Sequence, residues 1–317
     1  MERTKVNPKV SVVITVLNEE KTISGLLSAL ADQTFFPSEI IIVDGGSTDS
    51  TQGIINSWVK KMPKLKLYSL PQANRSKGRN FGVSRSKYSI IAFTDAGCLP
   101  KKDWLAELIK PFTDLQVQVV SGFYTGKAGN NFEKCLVPYT LVMPDKAEKN
   151  EFFPATRSMA IRRSAWDKSG GFDPTLNLNE DYAYAHWLKK LGFSFHFTPK
   201  AIVEWYPRKN LWEAAKMFFY FSLGDIQAKI IRPNIKPLFI RYAVFIYLVV
   251  FTIENNKFFL LIFLMILIYL VWAINKNFRY VRNVSAFFWL PVIQVIADLS
   301  VMWGTIIGFL SRFYGLS

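Results

Sequence analysis

The sequence predicts an α/β domain, a mostly parallel central sheet with helices on both faces, followed by C-terminal transmembrane helices. Three observations predict it. β-Branched runs alternate with amphipathic segments through the first 235 residues. Acidic and small polar residues stand directly after those runs. Three long apolar stretches follow Pro237.

Val10 to Val16 is a continuous β-branched run and predicts a strand buried on both sides. Glu20 to Ala31 carries Ile23, Leu26, Leu27 and Leu30 at helical spacing. Glu39 to Val43 predicts a second buried strand, and Asp49 onward a helix through Ile54, Ile55, Trp58 and Val59. Leu65 to Leu70 alternates as a strand, Ser76 to Ser86 reads as a helix, and Ser89 to Phe93 is a fourth strand ending at Thr94-Asp95. Short links between alternating strands and helices point to a parallel sheet.

The tail predicts three spans, 238–253, 258–274 and 285–310. Crossing a bilayer takes about 20 apolar residues, with about 17 as the lower limit. The Glu254-Asn255-Asn256-Lys257 turn is neutral overall, whereas the link 275–284 holds Lys276, Arg279 and Arg282, and the approach to the first span holds Lys229, Arg232 and Lys236. Basic links mark the cytoplasmic side, which places residues 1–236 in the cytoplasm. Val10 to Leu17 is short, lacks a cleavage site and runs into Asn18-Glu19-Glu20, unlike a signal peptide.

Before the spans, Leu211, Trp212, Ala215, Phe218 and Phe219 share one helical face. Two readings stand: a helix lying in the membrane interface, or an amphipathic helix packed on the protein. In the third span Gln294 and Asp298 share a face, and Gly304 and Gly308 are spaced for close helix contact. Asp298 either meets a lipid headgroup or has a protein partner such as Arg241. The division expected is therefore an α/β domain over 1–208, an amphipathic helix and linker over 209–236, and a membrane domain over 237–317.

Composition narrows the function. The 317 residues carry 39 Lys+Arg against 24 Asp+Glu, a net charge of +15, and half are hydrophobic, which excludes disorder, collagen and coiled coil. Two cysteines, Cys98 and Cys135, make neither a disulfide framework nor a metal-ligand spacing. The basic residues are scattered or flank the spans, where anionic lipid accounts for them, so no nucleic-acid partner is expected.

In a parallel sheet the ligand crevice lies beyond the carboxyl ends of the strands. There stand Asn18-Glu19, then Asp44-Gly45-Gly46-Ser47-Thr48-Asp49, then Thr94-Asp95-Ala96-Gly97. No dinucleotide or Walker-type glycine loop accompanies them. Singly, Asp44 reads as a turn and Asp49 as a helix cap. Together the acids suit ribose hydroxyls, base N–H groups and a divalent metal.

With these stretches in order and spacing, together with Gly78-Arg79-Asn80, Gly170-Gly171-Phe172-Asp173 and Asn179-Glu180-Asp181-Tyr182, the chain resembles a family 2 glycosyltransferase of the GT-A fold over roughly residues 8–205. The resemblance implies a cytosolic nucleotide-sugar donor. It places Thr15, Leu17 and Glu19 at the base and ribose, Asp44 on the base or ribose, Arg79 near the nucleotide and Asp95 as the first acid of the family's Asp-x-Asp motif. Leu17 stands where an aromatic is frequent. Gly97 replaces the second acid, the usual metal ligand. Mg²⁺ or Mn²⁺ would then rest on Asp95, the diphosphate and water. His196 reads as structural rather than as a ligand. Absent a metal, Arg157, Arg162, Arg163 or Arg208 would supply positive charge.

The resemblance also implies that the Glu180-Asp181 pair is catalytic, with Asp181 the base that deprotonates the acceptor and so inverts the anomeric centre. Asn179 is expected to cap the helix, and an acid pair there also matches the helix dipole. Where processive members carry Gln-x-x-Arg-Trp, this chain reads Glu204-Trp205-Tyr206-Pro207-Arg208 and Lys209-Asn210-Leu211-Trp212. The expected protein is a membrane-anchored, inverting, non-processive glycosyltransferase moving one sugar to a lipid-linked acceptor. The alternatives are a polyprenyl-phosphate sugar transferase and a catalytically silent nucleotide-sugar-binding membrane protein.

Overall fold

The computed structural model describes residues 8–147, 152–254 and 259–314. The chain divides into two compact units, residues 1–127 with 143–206 and residues 128–142 with 207–317.

The first unit opens as the sequence predicts, with β1 (Val10–Val16), α1 (Ile23–Ala31), β2 (Glu39–Asp44), α2 (Thr51–Val59), β3 (Leu65–Ser69), α3 (Arg75–Arg85) and β4 (Ile90–Phe93). These four strands pair in parallel, in the order β3-β2-β1-β4. Alternate residues face opposite sides. Val13, Ile41, Val43, Ile91 and Phe93 join one buried cluster with Val83, Trp166, Tyr184 and Leu188. Val12, Ile14, Ile40 and Ile42, on the other side, are equally buried. That double burial is why the strands read as unbroken apolar runs.

The sheet then continues through strands with no comparable run: β5 (Cys98–Pro100), β6 (Val119–Gly126), β7 (Met159–Arg162) and β8 (Phe195–Trp205). The full order is β3-β2-β1-β4-β7-β6-β8-β5. β7 runs antiparallel to β4 and β6, and β8 is parallel to β6 and antiparallel to β5. Because β7 is reversed, its first residue, Met159, pairs with Phe93, the last of β4. The segment just before β7 therefore reaches the crevice. Three further helices cover this half, α4 (Trp104–Ile109), α6 (Arg163–Ser169) and α7 (Glu180–Lys190).

Glycine sets how closely α3 lies on the sheet. A Cβ at Gly82 would stand 2.5 Å from Val13 Cγ1, and one at Gly78 2.8 Å from Thr15 Cγ2. Any side chain there would lift the helix that carries Arg79.

The second unit holds α5 (Asn131–Thr140), α8 (Leu211–Gln227), α9 (Ile235–Glu254), α10 (Phe259–Val281) and α11 (Ala286–Phe313). The last three are long and apolar enough to cross a membrane. One detail differs from expectation. The basic link is mostly helix, since α10 runs to Val281; Phe278 packs on Phe287 at 5.3 Å, and cations in a last turn suit the helix dipole. The rest of the neutral turn after Glu254 lies outside the described residues.

α8 packs along α11, and its buried stripe is Ala214, Met217, Phe218, Ser222 and Ile226 rather than the face of Leu211 and Trp212. Trp212 is exposed. The reason is the glycine pair on α11, which lets the backbones approach. A Cβ at Gly304 would lie 2.3 Å from the Phe219 carbonyl oxygen, and one at Gly308 2.8 Å from Ile226 Cβ. Ser222 Oγ adds a 2.6 Å bond with Thr305 Oγ1 and donates to the Val301 carbonyl at 2.9 Å. Gly304→Val is therefore expected to destabilise the protein by about 1–3 kcal/mol or more, because a backbone carbonyl cannot be trimmed out of the way. Thermal unfolding of the detergent-solubilised protein checks this, and an unchanged melting temperature would refute it.

Asp298 has protein partners. It accepts from Arg241, from Tyr269 Oη at 2.8 Å, from Tyr242 Oη at 3.3 Å and from Gln294 Nε2 at 2.9 Å. Lys276 Nζ donates to Gln294 Oε1 at 2.9 Å. An acid inside an apolar helix is tolerated when it is saturated in this way.

Candidate active site

The crevice is built where the first strands end. Asn18 leaves β1 in the left-handed region (φ 54°), and its Oδ1 accepts from the Thr48 N–H at 2.8 Å. The Asn18 N–H donates to Ser47 Oγ at 2.9 Å, and the Glu19 N–H to Thr51 Oγ1 at 2.8 Å. The β1 and β2 loops are thus one clasped rim. Leu17 stands exposed on it, and Thr15 and Glu19 are half-buried. Asp44, expected on the base or ribose, lies beneath this rim at the end of β2. It is fully buried, and its carboxylate is consumed by its own loop, accepting from the Ser47 N–H at 3.1 Å and from the Ser47 hydroxyl and Gln52 amide.

The most constrained part of the site is Arg79. Its Nη1 donates to Glu180 Oε1 at 2.6 Å and its Nη2 to Asp95 Oδ1 at 3.0 Å. One guanidinium thus ties α3, the loop after β4 and the first turn of α7. The Phe172 ring lies 5.3 Å from it. Phe172 is itself held by Asn80, whose Oδ1 accepts from its N–H at 3.0 Å and whose Nδ2 donates to its carbonyl at 2.8 Å. The Gly170-Gly171 turn, both residues at positive φ, brings Phe172 there.

These contacts separate the two acids of α7. Glu180 is buried against Arg79. Asp181 makes no ion pair among the described residues; its Oδ1 accepts from the Tyr182 N–H at 2.8 Å. Asn179 precedes the helix at φ 52° and does not cap it through its side chain, so the expected cap is not formed. Burial and the adjacent Glu180 charge raise the Asp181 carboxyl above the usual range, although Arg157 and Arg79 oppose them. Burial also works against the Asp95 charge, but Arg79, Arg157 and Arg75 outweigh it and hold that carboxyl low. Burial likewise opposes the Arg79 charge, and Asp95 with Glu180 more than offsets it, raising Arg79 above its ordinary value.

The four arginines left open by the sequence are not equivalent. Arg162 donates to the carbonyls of Val117, Phe112 and Asp114, and Arg163 to those of Tyr88, Val83 and Ser86, so both are structural. Arg157, just ahead of β7, lies over the Tyr124 ring at 5.4 Å and the Trp205 ring at 5.2 Å. The sequence offered Arg157 as one of four unranked cations; its two aromatic neighbours were not legible there, because the three belong to separate segments without a common motif. Arg208 begins the stretch after the sheet, in the second unit.

Among the described residues no three His, Cys, Asp or Glu side chains gather as a metal site. His196 sits opposite Val120 on β8 and is exposed. At the Asp95 loop the single carboxylate is engaged by Arg79, and Gly97 contributes no ligand. By protein ligands alone this donor set does not hold a divalent ion; one would need diphosphate and water oxygens as well.

Residues 11–170 match the family described as Glycosyl transferase family 2. The glycosyltransferase AglE of Haloferax volcanii is 27% identical over 228 residues, 69% of this chain and 74% of that protein. The probable glycosyltransferase YdaM of Bacillus subtilis is 29% identical over 232 residues, 67% of this chain and 54% of its own. Among solved structures, a mannosyltransferase from Pyrobaculum calidifontis in complex with GDP-Man and Mn²⁺ superposes with a TM-score of 0.59, at 18% identity, covering 93% of this chain and 87% of its own. GalNAc-T7 with UDP, GalNAc and Mn²⁺ gives 0.54 at 17% identity, covering 69% and 47%. Both structural likenesses show a common fold.

Proposed function

Because this chain belongs to glycosyl transferase family 2, we propose that it is a membrane-anchored, inverting enzyme that moves one sugar from a nucleotide-sugar to a lipid-linked acceptor at the cytoplasmic face. The observation that carries the chemistry is the division of labour in the acid pair. Arg79 takes up Glu180 and Asp95, and Asp181 keeps a carboxylate without an ion pair. A carboxylate in that state is competent to accept a proton.

In the proposed reaction Asp181 takes the proton of the acceptor hydroxyl while that oxygen forms a bond to the anomeric carbon. The bond from that carbon to the diphosphate oxygen breaks, and its electron pair leaves with the diphosphate. Attack opposite the leaving group inverts the centre. Glu180 acts through Arg79, as a positioning residue. The rim of Thr15, Leu17 and Glu19 takes the base and ribose, with Asp44 shaping that rim from beneath. A divalent ion, bound in both structural neighbours, would have Asp95 as its single protein carboxylate here.

The lipid-linked acceptor rests on the three apolar helices, since anchoring concentrates the enzyme where such acceptors lie. Cytoplasmic orientation rests on Lys276, Arg279 and Arg282 at the end of α10. Transfer of a single sugar rests on the departure from the processive motif at Glu204 to Trp212. A screen of radiolabelled nucleotide-sugars with the purified full chain and a membrane-lipid extract tests the reading. Label is expected in one organic-soluble product carrying one sugar of inverted configuration. Label that stays in water, a ladder of products, or retained configuration would each overturn the corresponding part.

A further inference from the structure

Arg157 has a conspicuous place and no protein acceptor. Among the described residues no carboxylate, carbonyl or hydroxyl takes a hydrogen bond from its guanidinium, whereas Arg79, Arg162 and Arg163 are all engaged. It is half-buried, between the Tyr124 and Trp205 rings. Its backbone is fixed: flanking Thr156 and Ser158 are buried, and Ser158 Oγ accepts from Trp104 Nε1 at 2.8 Å and donates to the Ala201 carbonyl at 3.0 Å. Trp205 is the register partner of Cys98, the residue after Gly97. The cation is thus held next to the loop where the second acid is missing. At Gly97 itself an added Cβ would have no atom within 4 Å, so the loop leaves open space.

A half-buried guanidinium whose N–H groups meet no acceptor among the described residues is available to an anion, and a charge-assisted hydrogen bond to a phosphate oxygen is stronger than a neutral one. Resting on the donor reading above, we propose that Arg157 is the protein's own cation for the diphosphate of the nucleotide-sugar, taking the role that a metal held by a second acid would otherwise fill. As the bond from the anomeric carbon to the phosphate oxygen breaks, the electron pair accumulates on the diphosphate, and the Arg157 N–H groups donate to those oxygens. Arg75, at the start of α3 and exposed, adds a second positive charge on the Asp95 side. The Tyr124 and Trp205 rings, at 5.4 and 5.2 Å, limit where the guanidinium can lie, and a lysine ammonium would not reproduce its planar fork of donors.

Calorimetric binding of UDP, GDP, dTDP and CDP to the purified full chain, in excess EDTA and again in Mn²⁺, tests this. Wild type is expected to bind one of them with affinities within about threefold in the two media. Arg157→Gln is expected to weaken that binding in EDTA by about tenfold or more, with Arg157→Lys intermediate and both melting like wild type without nucleotide. Gly97→Asp, placed in open space, is expected to make Mn²⁺ tighten binding by about tenfold or more. If wild-type binding collapses in EDTA, or Arg157→Gln binds as wild type does, the proposal is overturned while the donor reading stands. If no diphosphate binds in either medium, the donor reading fails and takes the inference with it.

Discussion

Asp181→Asn is expected to lower kcat by about a hundred- to ten-thousandfold while leaving nucleotide affinity nearly unchanged. The amide keeps the shape of the side chain and its bond from the Tyr182 N–H, but it cannot accept the acceptor's proton. The same substitution is expected to raise the melting temperature at neutral pH. The Asp181 carboxyl is raised, so the folded protein holds that proton more tightly than the unfolded chain does. Its contribution to stability is complete below the unfolded value and is lost as pH rises through the folded one; at neutral pH the ionised group is a burden, which the amide removes. For activity the sign is opposite. Protonated Asp181 is not a base, so kcat falls as pH drops, beginning above the pH at which an ordinary aspartate would titrate. Kinetics and calorimetry on the full chain check all three statements. A kcat within a few-fold of wild type would remove Asp181 as the base.

Arg79→Met is expected to be the most destabilising single change in the first unit, by about 3–5 kcal/mol. Methionine fills much of the volume but leaves Glu180 and Asp95 without the cation between them. Arg79→Lys is expected to recover little, since one ammonium cannot reproduce two fixed N–H directions toward two carboxylates. The loss depends on pH. The Asp95 carboxyl is held low in the fold, so its contribution is present above the unfolded value and disappears as pH falls through the folded one. The gap between wild type and Arg79→Met should therefore narrow in acid. Adding Glu180→Gln to Arg79→Met should return part of the stability by removing one stranded charge. Thermal melts across pH read this directly. Equal melting of Arg79→Met and wild type at neutral pH would show that the bridge does not hold the site together.

These two residues mark the boundary between what was legible and what was not. Both sit in stretches that stood out in the sequence. Yet Glu180 and Asp181 are adjacent acids in one helical turn, and only the position of Arg79 on α3 separates a clasped carboxylate from an available one. Asp44 shows the same limit in reverse. Its place after β2 marked it for contact with a nucleotide, whereas the Ser47 and Gln52 donors that hold its carboxylate could not be read from that place. For α8 the sequence left two readings of the Leu211 and Trp212 face open, and Gly304 and Gly308 on another helix decide which side can approach.

By itself the sequence determined the first four strands and their helices, the three apolar helices and the family, because burial on both sides of a sheet and helix length both leave short-range patterns in composition. Only the tertiary structure decided the antiparallel second half of the sheet, the membership of residues 128–142 in the second unit, the split roles of the acid pair and the place of Arg157. Those depend on contacts between residues far apart in the chain, and a hydrogen bond across 101 positions, such as Arg79 to Glu180, leaves no local periodicity to read.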